Sequence, residues 1–244
     1  MLPEIHIGKF TVSLYYLAMF LGYVLMIVLM LLKPRRRIYG LGPGRSVLFA
    51  TFVLIAGVLG CKLLYILENL SEVRENGISL GGFSFFGAVM LVPLLMPLLG
   101  KAAGMDVPSS LDSSAICILA MLGTIRIGCF MNGCCGGRIF FFRNFDFSFP
   151  TQLMESACDF LILALLLKNE KNGGMKGRLY PRFLLLYGTV RFLIEFLRHT
   201  DKHLLGLSNA QWFSVVSILI GSAFELFSYF KRKKCFLQNH PEVI

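Results

Sequence analysis

Charge is what this sequence has least of: Asp, Glu, Lys and Arg make up only 16% of its residues, against 56% hydrophobic ones. With a mean hydropathy of +0.69 it is far too apolar for a soluble domain, where charge runs near about 25%. It has no repeat of fixed period, no low-complexity tail and no linker that could separate soluble domains, so residues 1–244 read as a single multi-span membrane domain. The net charge of +10 is not gathered into a basic soluble domain, which excludes nucleic acid as a partner. The seven cysteines are an odd number, most of them in or beside apolar stretches, and a secreted disulfide scaffold is excluded. A cleaved signal peptide is not expected, because the first apolar stretch is too long for an h-region and only Lys9, near Glu4, precedes it.

Long hydrophobic runs fill the chain instead. A spanning helix needs about 20 largely apolar residues, and seven stretches qualify: 10–32, 46–67, 83–100, 112–131, 151–167, 180–197 and 210–230, of which the third, fifth and sixth are short. The expected fold is an all-α integral membrane protein with seven transmembrane helices. An outside N-terminus leaves fourteen basic residues on the inner side, among them Arg35, Lys101, Lys176 and Lys233. Six remain outside: Lys9, Arg74, Arg138, Arg143, Arg198 and Lys202. By the positive-inside rule the N-terminus is outside and the C-terminus cytoplasmic. The phenylalanines of 140–149 read as an interfacial segment, where rings prefer headgroup level, with a lipid-entry role as the alternative.

The stretch 180–197 breaks the apolar rule. Tyr187, Arg191, Glu195 and Arg198 are spaced four, four and three apart, which on one continuous helix puts all four within roughly 80° of each other. Ionisable groups at such depth cost about 2.5–3.5 kcal/mol each on insertion scales and usually face a bundle interior or a watery site. The plainer reading is an Arg191–Glu195 pair that holds the bundle together. A second arginine reaches the same level. Arg126 lies roughly 22 Å from the inner face and Arg191 roughly 20 Å, counting 1.5 Å per residue. Two guanidiniums at one depth, with Arg198 just above, make an anion site near the outer-leaflet phosphates, because the rigid fork binds phosphate oxygens and keeps its charge when buried. Snorkelling of each arginine to the interface is the competing account, but it gives no reason for Glu195 on the same face.

At these residues the chain resembles the bacterial prolipoprotein diacylglyceryl transferases, a family of seven-span plasma-membrane enzymes. Gly81-Gly82-Phe83-Ser84-Phe85-Phe86-Gly87-Ala88 is similar to the family's GGMSFHGG. Arg126-Ile127-Gly128-Cys129-Phe130-Met131-Asn132-Gly133 is similar to its RxGNFxNGE, with Gly137-Arg138 following. Pro150-Thr151-Gln152-Leu153-Met154-Glu155 resembles HPSQLYE, Tyr187 through Arg198 resembles YGxxRFxxEFxR, and Leu207 through Trp212 resembles LSxGQ. Three departures stand out: Phe86 occupies the place of the family histidine, Cys129 that of the signature asparagine, and Cys134 that of the acidic residue.

The resemblance implies a transferase of lipoprotein biosynthesis in the bacterial plasma (inner) membrane. It moves the diacylglyceryl group of phosphatidylglycerol onto the thiol of a prolipoprotein lipobox cysteine and releases glycerol phosphate. The implied catalytic residues are Arg126 and Arg191 on the phosphate, Glu195 orienting Arg191, and Tyr187 at the reacting centre. Arg198, Ser84, Asn132, Gly133 and Gln152 are the further substrate-binding residues. No cofactor and no metal are implied. Cys129, Cys134 and Cys135 lack a zinc-ribbon spacing, and they read as small-residue packing or a labile disulfide. With Phe86 unable to carry a proton, the work of a base falls to Tyr187, His199 or His203. The alternative is a catalytically silent relative that binds an anionic phospholipid or a lipoprotein precursor. A transporter fits less well, since no inverted repeat is present and the charges lie in the outer half.

Overall fold

The computed structural model describes residues 4–7, 10–77, 82–142, 145–171, 176–198, 200 and 206–239. Strands β1 (Glu4–Ile7) and β2 (Phe10–Ser13) lead into helix α1 (Leu14–Leu31), the short α2 (Lys33–Tyr39), α3 (Pro43–Glu68), the short α4 (Leu70–Asn76), α5 (Phe86–Ala102) and α6 (Val107–Asn132). Strands β3 (Ile139–Phe142) and β4 (Phe145–Ser148) follow, then α7 (Thr151–Lys171), α8 (Leu179–Ile194) and α9 (Asn209–Asn239). Every apolar stretch read from the sequence is a helix. The first is shorter than expected, because Phe10–Ser13 pairs antiparallel with β1, Glu4 opposite Ser13; Phe, Thr and Val favour a strand over the start of a helix. The helical fold expected from the sequence is present, with two short hairpins beside it. The second hairpin lies in the phenylalanine-rich loop, with Ile139 opposite Ser148.

Four helices are long and apolar enough to cross a membrane: Leu14–Leu31, Pro43–Glu68, Val107–Asn132 and Asn209–Phe230. Helix α5 is apolar but has 17 residues, α8 has 16, and α7 carries Glu155, Asp159, Lys168 and Glu170. The apolar helices turn side chains outward, with Leu94 74%, Leu98 69% and Phe227 69% exposed, as suits a chain surrounded by lipid.

Helix α6 is the axis of the bundle: 67% of its apolar window is buried, against 17% for α9. Small residues let neighbours approach it. A Cβ added at Gly128 would sit 2.6 Å from the Cβ of Ala18 in α1, and one at Gly123 would meet the Phe160 ring of α7 at 3.1 Å. Such contacts between small residues and close backbones are how helices associate in lipid, where no hydrophobic force draws them together. Helix α6 starts at Val107, with Pro108 in its first turn, behind the Asp106 cap, whose carboxylate accepts from the Ser109 hydroxyl at 2.8 Å. One turn further in, Asp112 accepts the backbone N–H groups of Gly177 (2.7 Å), Leu179 (2.9 Å) and Tyr180 (3.1 Å), which satisfies the orphan donors at the start of α8. Arg35 meets Glu170 at 3.0 Å, and Glu225 of α9 receives Arg178 at 2.8 Å and Arg182 at 2.9 Å. These pairs lock α2 to α7 and α8 to α9 at the Asp106 end of the bundle, where Asp112 also ties α6 to α8.

Candidate active site

Three arginines converge on one carboxylate, that of Glu155. Arg126 of α6 pairs with Oε2 of Glu155, Arg191 of α8 pairs with Oε1, and Nη1 of Arg198 lies 3.2 Å from the same oxygen. Glu195 takes the other side of Arg191, with Nη2 2.8 Å from its Oε2, and accepts a hydrogen bond from the Ser208 hydroxyl at 2.9 Å. Arg126, Arg191, Glu155 and Glu195 are all buried. The equal depth counted for Arg126 and Arg191 agrees with their meeting one side chain. Three guanidiniums against two carboxylates leave a single positive charge in the cluster, the complement of a phosphodiester monoanion.

Arg198 gets there by a different route from the one the spacing suggested. Helix α8 ends at Ile194, Glu195–Leu197 is a 3-10 turn, and Arg198 is extended at ψ 155. Its strand-like partner is Gly137, and the Arg138 N–H bonds to the Leu197 carbonyl at 2.8 Å. The loop after α6 thus pulls the chain off the helix, so Tyr187, Arg191, Glu195 and Arg198 do not share one continuous helical face.

The arginines open onto a cavity of about 480 Å³ between α1, α3, α5 and α6. Its end nearest the C-terminus of α6 is lined by Arg126, Arg191, Glu195, Arg198 and Ser84, and its opposite end by apolar groups such as Met26, Val53, Ile118 and Leu122. From Cys117 to Arg126 along α6 is nine residues, roughly 13 Å of mostly apolar wall below the charges. A polar anion-binding end over an apolar shaft has the shape of an amphiphile.

Phe86 lines this cavity and is buried in an aromatic stack. Its ring lies 5.5 Å from Phe213 and 6.1 Å from Tyr187, and Tyr187 is stacked on Phe183 at 5.6 Å. Tyr187 sits behind the cavity wall, and its hydroxyl has no hydrogen-bond partner among the described residues. His199 and His203 lie outside the described residues.

The end of α6 is a thiol cluster. Gly133 at φ 75 terminates the helix, the Cys134 N–H bonds back to the Cys129 carbonyl at 3.1 Å, and Cys135 follows at φ 60. Such a left-handed conformation costs a non-glycine residue about 1–2 kcal/mol. The two turns bring the sulfurs of Cys129, Cys134 and Cys135 within 4.8 Å of one another, a meeting that their separation in sequence does not disclose. Hydrogen bonding from the Cys129 thiol, followed by the charges of Arg198 and Arg126, lowers the pKa of Cys135 against the opposing effect of burial. Two residues at the start of α7 hold the turn: the Gln152 amide donates to the Cys134 carbonyl at 2.7 Å and the Thr151 hydroxyl to that of Cys135 at 3.3 Å. Among the expected substrate contacts, Ser84 and Arg198 line the cavity, while Gln152 and Gly133 shape the cysteine turn and Asn132 ends α6 on the exposed side.

Sequence reasoning gave Glu155 no role. Its signal was a charge count: Arg126, Arg191 and Arg198 had one assigned acidic partner, and a carboxylate early in an otherwise apolar stretch was available to balance them.

Residues 4–227 match the family model described as prolipoprotein diacylglyceryl transferase. A phosphatidylglycerol–prolipoprotein diacylglyceryl transferase of Clostridium tetani is 31% identical over 223 residues, covering 82% of this chain and 90% of that protein. A protein of the same name from Neisseria meningitidis serogroup B is 29% identical, over 89% of this chain and 92% of its own length. A third, the second such transferase of Clostridium perfringens, is 28% identical over 82% and 84%. Matched over residues 4–227 by the family model and over most of its length by these enzymes, the chain belongs to the prolipoprotein diacylglyceryl transferase family.

Proposed function

We propose that this enzyme transfers the diacylglyceryl group of phosphatidylglycerol to the thiol of a lipobox cysteine in a prolipoprotein and releases glycerol phosphate. The observation that carries the reading is the meeting of Arg126, Arg191 and Arg198 on Glu155 at the outer end of a cavity with an apolar shaft. In the reaction the acceptor sulfur attacks the glyceryl carbon that bears the phosphate ester, the C–O bond breaks, and its electron pair stays on the phosphate. The leaving group goes from a monoanion to a dianion. Preorganised guanidiniums stabilise that growing charge more than they stabilise the bound lipid, which is the requirement for catalysis.

Arg126, Arg191 and Arg198 bind the phosphate in this assignment, while Glu155 and Glu195 hold the forks in place. Ser84 contacts the headgroup. The unpartnered Tyr187 hydroxyl supplies a further polar contact when the headgroup arrives, since a buried hydroxyl gains by finding a partner. Gln152, Gly133 and Asn132 act through the cysteine turn. Seven helices, three of them shorter or more polar than the rest, cross the bacterial plasma membrane in this reading, with the N-terminus outside and the cluster in the outer half, facing the outer leaflet.

The test uses the full chain in phosphatidylglycerol bilayers with a lipobox peptide. Arg126→Lys and Arg191→Lys keep the charge but lose the fork, and each is expected to lower transfer and anionic-lipid binding by roughly tenfold or more, about 1.4 kcal/mol. Unchanged values in both variants would refute the phosphate site. Phe86 supports the silent-relative reading, which takes over if the wild type binds phosphatidylglycerol but never transfers.

A further inference from the structure

The geometry points to a zinc site in the turn after α6, in which Cys129, Cys134 and Cys135 hold the ion and its fourth position takes the acceptor thiol. This rests on the transferase reading above, and it supplies what that reading lacks. Phe86, in the cavity wall beside Tyr187 and Phe213, has a stacked ring that accepts no proton.

The cluster has the form a catalytic zinc needs. Zn–S bonds of about 2.3 Å at tetrahedral angles place sulfurs about 3.8 Å apart, and the three sulfurs already lie within 4.8 Å. The turn is fixed from outside by Thr151 and Gln152, and Cys135 is held in a left-handed conformation, so little reorganisation precedes binding. Zinc with three thiolates carries one negative charge, and Arg126 and Arg198 are the nearest cations to it. Cys129 and Cys135 line the same cavity as the arginines, so the open fourth position faces the lipid phosphate. A thiol entering that position is deprotonated outright, and its proton passes to water. The zinc-bound sulfur attacks the glyceryl carbon, the C–O bond breaks towards the phosphate, and the neutral thioether, a weak ligand, leaves the metal.

The experiment uses the full chain, purified reduced in phosphatidylglycerol nanodiscs, with zinc or cobalt(II) as the probe. The wild type should bind one equivalent of cobalt(II) with a thiolate-to-metal charge-transfer band, which zinc abolishes by displacement. Cys134→Ser and Cys135→Ser should weaken binding at least tenfold, and Cys158→Ser should leave it unchanged. Adding lipobox peptide should shift the band, as a fourth thiolate enters the shell. Transfer should fall at least tenfold on chelation and return with zinc. Absence of the band in the reduced wild type overturns the site, whichever variants fold. Full transfer after zinc removal overturns the inference and leaves the transferase reading intact. Metal binding with a peptide-induced shift but no transfer under any condition overturns the transferase reading instead.

Discussion

Glu155 meets three guanidiniums, and removing its charge leaves them facing one another in a buried place. Breaking a buried pair in this way costs about 3–5 kcal/mol, so Glu155→Gln should lower the melting temperature of the detergent-solubilised protein sharply. The loss should be smaller in micelles that contain phosphatidylglycerol, because a lipid phosphate replaces the missing negative charge; an equal loss in both detergents would show that no lipid anion reaches the cluster. Tyr187→Phe removes a hydroxyl without a partner and should cost little stability, while lowering transfer if that hydroxyl meets the headgroup. Phe86→His places a proton acceptor in the cavity wall and should make transfer less dependent on zinc. The arginines were legible in the sequence because a charge inside an apolar stretch needs a reason. The role of Glu155 is not legible in the sequence, because the partner of a buried arginine across helices depends on packing that local spacing does not encode. The thiol cluster was hidden for a related reason: separations of five and one bring three sulfurs together only when Gly133 and Cys135 both adopt left-handed backbones.

Helix positions followed from hydropathy, whereas their ends and contacts depended on single residues. Gly60 of α3 and Gly87 of α5 face each other backbone to backbone, so a Cβ at either would strike the carbonyl of the other. Gly87→Ala should therefore push α3 and α5 apart and cost about 1–3 kcal/mol, as overpacking does, seen as a lower melting temperature; it should also alter the cavity that Phe86 lines. At the inner end, partial burial pushes the Asp106 carboxyl up, but the hydrogen bonds from Ser109 and the Lys176 charge outweigh it and hold its pKa below the ordinary value. A lowered folded-state pKa contributes stability above the unfolded value of about 3.9, and that contribution is lost as pH falls through the folded one. Asp106→Ala should cost about 0.5–2 kcal/mol at neutral pH, and the difference from wild type should vanish in acid. The two hairpins were less legible than the helices. Their strands are four residues each, and Phe10–Ser13 runs directly into α1 with no change in hydropathy to mark the boundary.

Across the whole molecule, the orientation of the bundle decides which leaflet supplies the lipid. The arginine cluster lies at the end of α6 opposite Asp106, and the thiol turn lies beyond it, so both share one face of the membrane. By the positive-inside rule the bases predict that this face is outside, with fourteen in the sequence connections expected within and six in those expected without. A cluster on the outside would meet an acceptor thiol that has been exported across the membrane. Single cysteines placed beside Arg74 and Lys233, with native thiols blocked first, should divide cleanly under a membrane-impermeant maleimide applied to intact cells. The Arg74 position should react and the Lys233 position should react only after the membrane is opened. The reverse labelling would move Arg126, Arg191 and Arg198 to the cytoplasmic leaflet, and with them the thiol turn. A phosphate site could still exist there, but it would draw on inner-leaflet lipid and meet its acceptor before export, so the order of lipid transfer and translocation would have to be reversed.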